Sequence, residues 1–279
     1  MHSVTQRNDW QPAIERTYEF FEGKKYQGEP LEERIVFYCQ MLHDFGILAE
    51  GKRIVDLGAG IYWFNPLVAA MGPEMNLVDD YGGGGGVDNS NRGPAEELLR
   101  RYREEYRFAM FEQDILKAPL PFEDASVDAV TCFHCLEHWH NSPKRLFREI
   151  TRILKPGGML FLATPNAANI RKRITVPLGM NNWSPLDEWY EEEPVFRGHV
   201  REPILADLKN ICERNSLVVE ACYGRNFIGR DSQVFGAVPQ VVRHTVAALS
   251  QKILRFFPTL CSDIHVAARK PGSQPKGEV

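Results

Sequence analysis

Three short stretches of this chain place carboxylates and glycines where a ligand could be held. In the first, Val55-Asp56-Leu57-Gly58-Ala59-Gly60, a carboxylate closes an apolar run and two glycines follow at a point where the backbone must pass close to another group. In the second, Asp79-Asp80 ends a short apolar run and precedes five consecutive glycines, Gly82 to Gly86. In the third, Asp114-Ile115 follows another short apolar run. A dinucleotide fingerprint would need glycine or alanine at the position of Trp63, so the spacing argues against a pyrophosphate and a nicotinamide oxidoreductase. Cys132, Cys135, His138 and His140 suggest a metal centre, but Cys132 belongs to a core strand whose alternate residues face opposite ways, and no second Cys pair follows. No metal is expected.

The elements that must position these residues alternate. Strands are predicted at 53–57, 75–78, 107–111, 127–132, 159–163, 217–222 and 264–268, with helices at 65–71, 95–106, 143–154 and 204–215 between them. Glu96 to Arg100 and Glu97 to Arg101 stand at supportive i,i+4 spacing, and Pro156-Gly157-Gly158 is read as a helix stop. This order predicts an α/β fold with a doubly wound, mostly parallel seven-stranded sheet, binding ligands at the carboxyl ends of its strands. A helical layer at 1–50 leads into the main domain at 51–279. Residues 170–203 form an inserted lid whose Trp183, Trp189, Tyr190 and Phe196 are expected to pack it onto its own domain. An amphipathic helix at 239–257 is expected to pack on the sheet, with peripheral membrane contact as the alternative.

Four segments in this order resemble the class I methyltransferases that use S-adenosylmethionine, in the branch with Leu-Glu-His after strand four. They are Val55 to Gly60, Leu77-Val78-Asp79-Asp80, Glu112-Gln113-Asp114-Ile115 and Phe133-His134-Cys135-Leu136-Glu137-His138. The run from Leu146 to Gly158 is similar to the same branch. The resemblance implies a Rossmann-like fold and S-adenosylmethionine as cofactor, with Gly58, Ala59 and Gly60 beneath it and Asp56 toward its amino acid tail. It also implies that Asp79 or Asp80 accepts both ribose hydroxyls, that Asp114 and Ile115 meet the adenine, and that Phe133 and His134 stand beside the sulfonium. His138 is either a general base for the acceptor or a brace for its loop with Glu137. His199 and Arg201, in a segment similar to that branch, would face the acceptor, Arg201 either holding an anion or fixing the insertion by a salt bridge.

The implied activity is methyl transfer to a small-molecule or glycan-type acceptor; a non-catalytic interaction protein on the same scaffold shares the motifs. The charge count, 33 Lys plus Arg against 37 Asp plus Glu for a net −4, disfavours nucleic acid as partner. No run of about 18 apolar residues occurs, and no apolar segment follows a basic start near Met1, so a cytoplasmic location is expected. Six scattered cysteines fit thiols in a reducing compartment. Oligomeric state is left open.

Overall fold

The computed structural model describes residues 10–21, 31–81, 92–106, 108–193, 196–226 and 256–272, together with 242, 245, 249 and 252–254. Its strands form a seven-stranded mixed sheet in the order β3-β2-β1-β4-β5-β7-β6. The chain divides into two compact units, Met1–Thr131 with Arg152–Gly158, and Cys132–Thr151 with Met159–Val279.

In the first unit β1 (Arg53–Leu57) runs parallel to β2 (Glu74–Asp79) and to β4 (Val127–Phe133), and β2 runs parallel to β3 (Ala109–Glu112). The β1 residues Ile54, Val55 and Leu57 have no exposure at all, as expected of a strand covered on both faces. Beyond the turn after β1, α3 (Phe64–Ala70) is packed by α1 (Gln11–Phe20) and α2 (Leu31–Asp44). Trp63 explains this arrangement: its buried indole stacks on Phe21 with ring centroids 4.4 Å apart and takes the edge of Tyr18 at 5.0 Å. The residue that breaks a dinucleotide fingerprint is thus the one that seats the N-terminal helix. Tyr102 of α4 (Arg92–Tyr106) donates its buried hydroxyl to the Tyr62 carbonyl. On the outer face of α4, Arg100 pairs with Glu97 and Glu104 and Arg101 with Glu105, so Glu97 finds Arg100 rather than Arg101. The side chain of Glu96 lies outside the described residues.

In the second unit the last strand, β7 (Asp263–Arg269), lies between β5 (Leu154–Pro165) and β6 (Val218–Arg225), antiparallel to both. The reversal makes the sheet mixed. The unit also carries most of α5 (Lys144–Ile153), and α8 (Leu205–Arg214) covers β6 and β7 with Leu205, Leu208 and Cys212. Pro156-Gly157-Gly158 is not a helix stop: α5 ends at Ile153 and the three residues lie inside β5, with Gly157 at φ +81°.

Two packing expectations fail. The segment 170–203 carries α6 (Ile170–Thr175), capped by the Asn169 side chain on the Lys172 amide, and α7 (Leu186–Glu191). Its Trp183, Trp189 and Tyr190 are 71%, 58% and 72% exposed, so they do not pack the insertion onto the domain. The helix read at 239–257 falls largely outside the described residues. At the described positions Val242, Leu249 and Ile253 are helical and exposed, and Phe256 and Phe257, outside the helix, are exposed too, in place of the expected burial against the sheet. Among the described residues no helix is long and apolar enough to cross a membrane.

Candidate functional site

The turn after β1 builds the first cluster. Gly58 and Gly60 take φ of +68° and +49°, a region glycine enters without a Cβ clash. The Gly58 amide donates to the Val78 carbonyl at 2.9 Å, which lays the turn against the end of β2. There Asp79 accepts the Gly60 amide on Oδ2 at 2.9 Å and the Tyr81 amide on Oδ1 at 2.6 Å. The two amides take two of its roughly four acceptor sites and Asp80 lies in side-chain contact, which leaves capacity for a ligand. Asp79 is the acid built into the turn, whereas Asp80 is exposed beside it. Burial raises the Asp79 carboxyl above its ordinary range, against the pull of the two amides.

Asp56 lies deeper, 2% exposed, and accepts the Thr131 hydroxyl on Oδ1 at 2.6 Å. Loss of water pushes its pKa up to about 7; Thr131 and Asn65 pull it down and Asp79 repels its charge. At the end of β3 the Gln113 amide donates to the Asp79 carbonyl at 2.9 Å, joining that strand end to the turn. Asp114 accepts the Leu116 amide at 2.9 Å and pairs with Lys117 at 2.8 Å, and Lys117 holds its carboxyl below the usual range. Ile115 and Ala59 are buried.

Two members of this cluster escape sequence reasoning. Tyr81, at φ +45°, buries a hydroxyl with no hydrogen-bond partner among the described residues. Asn65, fully buried in α3, offers its amide to the Ala59 carbonyl at 3.4 Å. An aromatic residue directly after an acidic pair was the available signal for the first, while nothing local marks the second. Left-handed glycines, a partly used carboxylate and an orphaned buried hydroxyl fit a ligand with a diol and a cationic tail, which is the chemistry of S-adenosylmethionine.

A second cluster stands in the other unit, where Phe133 ends β4 buried and the chain turns at His134, φ +51°. His134 faces Glu137 Oε1 at 3.3 Å and Asp263 Oδ1 at 3.5 Å, so its ring is braced between two acids. Glu137, without exposure in the 3-10 turn Leu136–His138, accepts the Thr164 hydroxyl at 3.1 Å, and its carbonyl accepts the amides of Val200 and Arg201. Burial opposes the Glu137 charge, but His134, the residue's own backbone amide and His138 together hold the carboxyl low. His138 bonds through Nδ1 to the Arg197 carbonyl at 2.7 Å. His199 bonds through Nδ1 to Glu202 at 2.9 Å, and Glu202 also pairs with the buried Lys172. Glu202 raises the His199 pKa, while His199 and Lys172 hold Glu202 low despite its burial.

The Arg201 guanidinium is exposed and forms no ion pair among the described residues. His140 is engaged with the Phe196 carbonyl at 2.7 Å. Sequence reasoning singled out His134, His138 and His199 but not Glu202 and Lys172, which pair across 30 residues of chain.

The methyltransferase domain family matches residues 86–162. A ubiquinone biosynthesis O-methyltransferase of Dechloromonas aromatica is 30% identical over 123 residues, 44% of this chain and 48% of that protein. Over these residues the chain is similar to S-adenosylmethionine-dependent methyltransferases. A second ubiquinone biosynthesis O-methyltransferase, from Xanthomonas oryzae pv. oryzae, is 31% identical over 125 residues, 42% of this chain and 44% of that protein. The chain thus spans about half the length of the curated relatives it matches. Among solved structures, an S-adenosylmethionine-dependent methyltransferase from Mesorhizobium loti shares the methyltransferase fold with a TM-score of 0.54 at 19% identity, over 86% of this chain and 99% of that one. Phosphoethanolamine N-methyltransferase 2 of Haemonchus contortus, in complex with S-adenosylmethionine, gives 0.52 at 19% identity over 95% and 61%.

Proposed function

We propose that this protein transfers a methyl group from S-adenosylmethionine to a small-molecule or glycan-type acceptor. The observation that carries the reading is the Asp79 carboxylate, held by the Gly60 and Tyr81 amides at the carboxyl end of β2 with acceptor capacity to spare. When bound, the cofactor supplies a methyl group made electrophilic by its sulfonium.

The chain's own residues bind and orient. Asp79 accepts the ribose diol, and Asp56 balances the ammonium of the tail. Asp114 and the Ile115 amide receive the adenine edge, and Gly58 to Gly60 give the backbone close approach. His199 and Arg201 belong to the acceptor side, where the exposed guanidinium suits an anionic group. With Nδ1 of His138 committed to a carbonyl, Nε2 is the nitrogen left to take a proton from an acceptor hydroxyl. Fixing both reactants turns a bimolecular encounter into a positioned displacement. The exposed Trp183, Trp189 and Tyr190 offer flat faces to an acceptor ring.

Calorimetric titration with S-adenosylhomocysteine tests the donor site without needing the acceptor. Wild type and Asp80→Ala should bind in the micromolar range, and Asp79→Ala should lose at least tenfold, about 1.4 kcal/mol. No heat and no thermal shift with wild type would sink the reading. Binding without turnover on a broad acceptor panel would point instead to a non-catalytic module.

A further inference from the structure

Glu137, His138 and His199 each offer one ligand atom, and these atoms lie within 4.8 Å of one another. Two imidazoles and a carboxylate form the donor set that first-row divalent metals take in catalytic sites, where three protein ligands leave a position open.

The surrounding bonds give the cluster its meaning. In both histidines Nδ1 is occupied, in His138 by the Arg197 carbonyl at 2.7 Å and in His199 by the Glu202 carboxylate at 2.9 Å. With Nδ1 of each ring engaged, Nε2 is the nitrogen a metal would take. Metal-binding imidazoles are oriented in this way, by a carbonyl or carboxylate on the far nitrogen. Glu202 is itself held by Lys172. Glu137 shows no exposure; Oε2 accepts from Thr164, while Oε1 is paired with His134 Nδ1 at 3.3 Å. A buried carboxylate needs opposite charge beside it, and a cation would add to what His134 supplies.

We propose that Glu137, His138 and His199 bind one divalent ion of the zinc and manganese class, whose open position receives a hydroxyl oxygen of the acceptor. The second half rests on the methyl-transfer reading; the first does not. It reverses the expectation that no metal is held. It also replaces the general-base role of His138, because a nitrogen that donates its lone pair to a metal cannot take a proton. The ion does that work by lowering the pKa of the hydroxyl bound to it, which makes the acceptor an alcohol, phenol or enol.

The test uses untagged full-length protein stripped with a chelator and titrated with Zn2+. Wild type should bind one equivalent in the micromolar range or tighter. His199→Gln should weaken binding roughly 100-fold and Glu202→Gln by 10- to 100-fold, since the latter loses only the group that orients a ligand. S-adenosylhomocysteine titration of the same samples should be unchanged, which shows that the variants are folded. Stripped wild type that takes up zinc no better than a folded His138→Gln/His199→Gln double variant overturns the site and leaves the donor reading untouched. For the open position, the Co2+-loaded protein is mixed with acetohydroxamate. A changed visible spectrum is expected, and an unchanged one overturns the acceptor half.

Discussion

Asp56 is shut away from water beside Thr131 and near a second carboxylate, and its pKa is pushed up to about 7. A group whose folded-state pKa is raised stays protonated where the unfolded chain has already lost the proton. Stability therefore falls as pH rises from the ordinary carboxylate range through about 7. Asp56→Asn should melt above wild type at pH 8, by a few kcal/mol in stability, with the gap shrinking toward pH 5. The ionised form is the one that pairs with an ammonium. Affinity for S-adenosylhomocysteine should accordingly climb roughly tenfold between pH 6 and pH 8 in wild type and stay flat in Asp56→Asn. Calorimetry at the two pH values reads this directly, and a flat wild-type profile would separate Asp56 from the ligand's tail.

At the scale of elements, Trp63 joins α1 to the turn after β1, so Trp63→Ala should cost about 3–5 kcal/mol and open residues 10–21 to hydrogen exchange. The exposed aromatics of 170–203 should behave oppositely: Trp183→Ser and Trp189→Ser should leave the melting temperature within what about 0.5 kcal/mol moves. The difference marks where local pattern is a good guide. Ile54 to Leu57 and Leu77-Val78 announced their strands because a strand covered on both faces must be apolar throughout. The start of β5 was hidden, since Leu154 continues the apolar stripe of α5 and Pro-Gly-Gly imitates a helix stop. The direction of β7 was hidden too, because pairing sense leaves no mark on side-chain type. In the site, Asp56, Asp79 and Asp114 were legible from strand ends. The His199-Glu202-Lys172 chain was not, because Lys172 and His199 meet only through the fold of 170–203.

For the molecule as a whole, the six cysteines report on both units. Cys39 is buried in the first, and Cys132, Cys212 and Cys261 are buried in the second, while Cys135 and Cys222 are half-exposed. Burial pushes the Cys212 thiol up to about 12 and Cys261 to about 11 and raises Cys39 as well, so few thiolates exist to react near neutral pH. A thiol reagent should therefore label the half-exposed Cys135 and Cys222 before the four buried thiols in native protein, Cys222 slowed by its own raised thiol, and all six in denaturant. Slow labelling of the buried thiols then measures opening of the unit that holds them. A ligand that binds only the folded form suppresses that opening by about 2.7 kcal/mol at a hundredfold excess over its Kd, which is about a hundredfold in labelling rate. S-adenosylhomocysteine, held by Asp79 and its turn, should slow Cys39. Zinc, held by Glu137, His138 and His199, should slow Cys212 and Cys261. Mass spectrometry of the labelled peptides separates the two effects. Failure of the homocysteine ligand to protect Cys39 would count against the donor site, and failure of zinc to protect Cys212 and Cys261 against the metal centre.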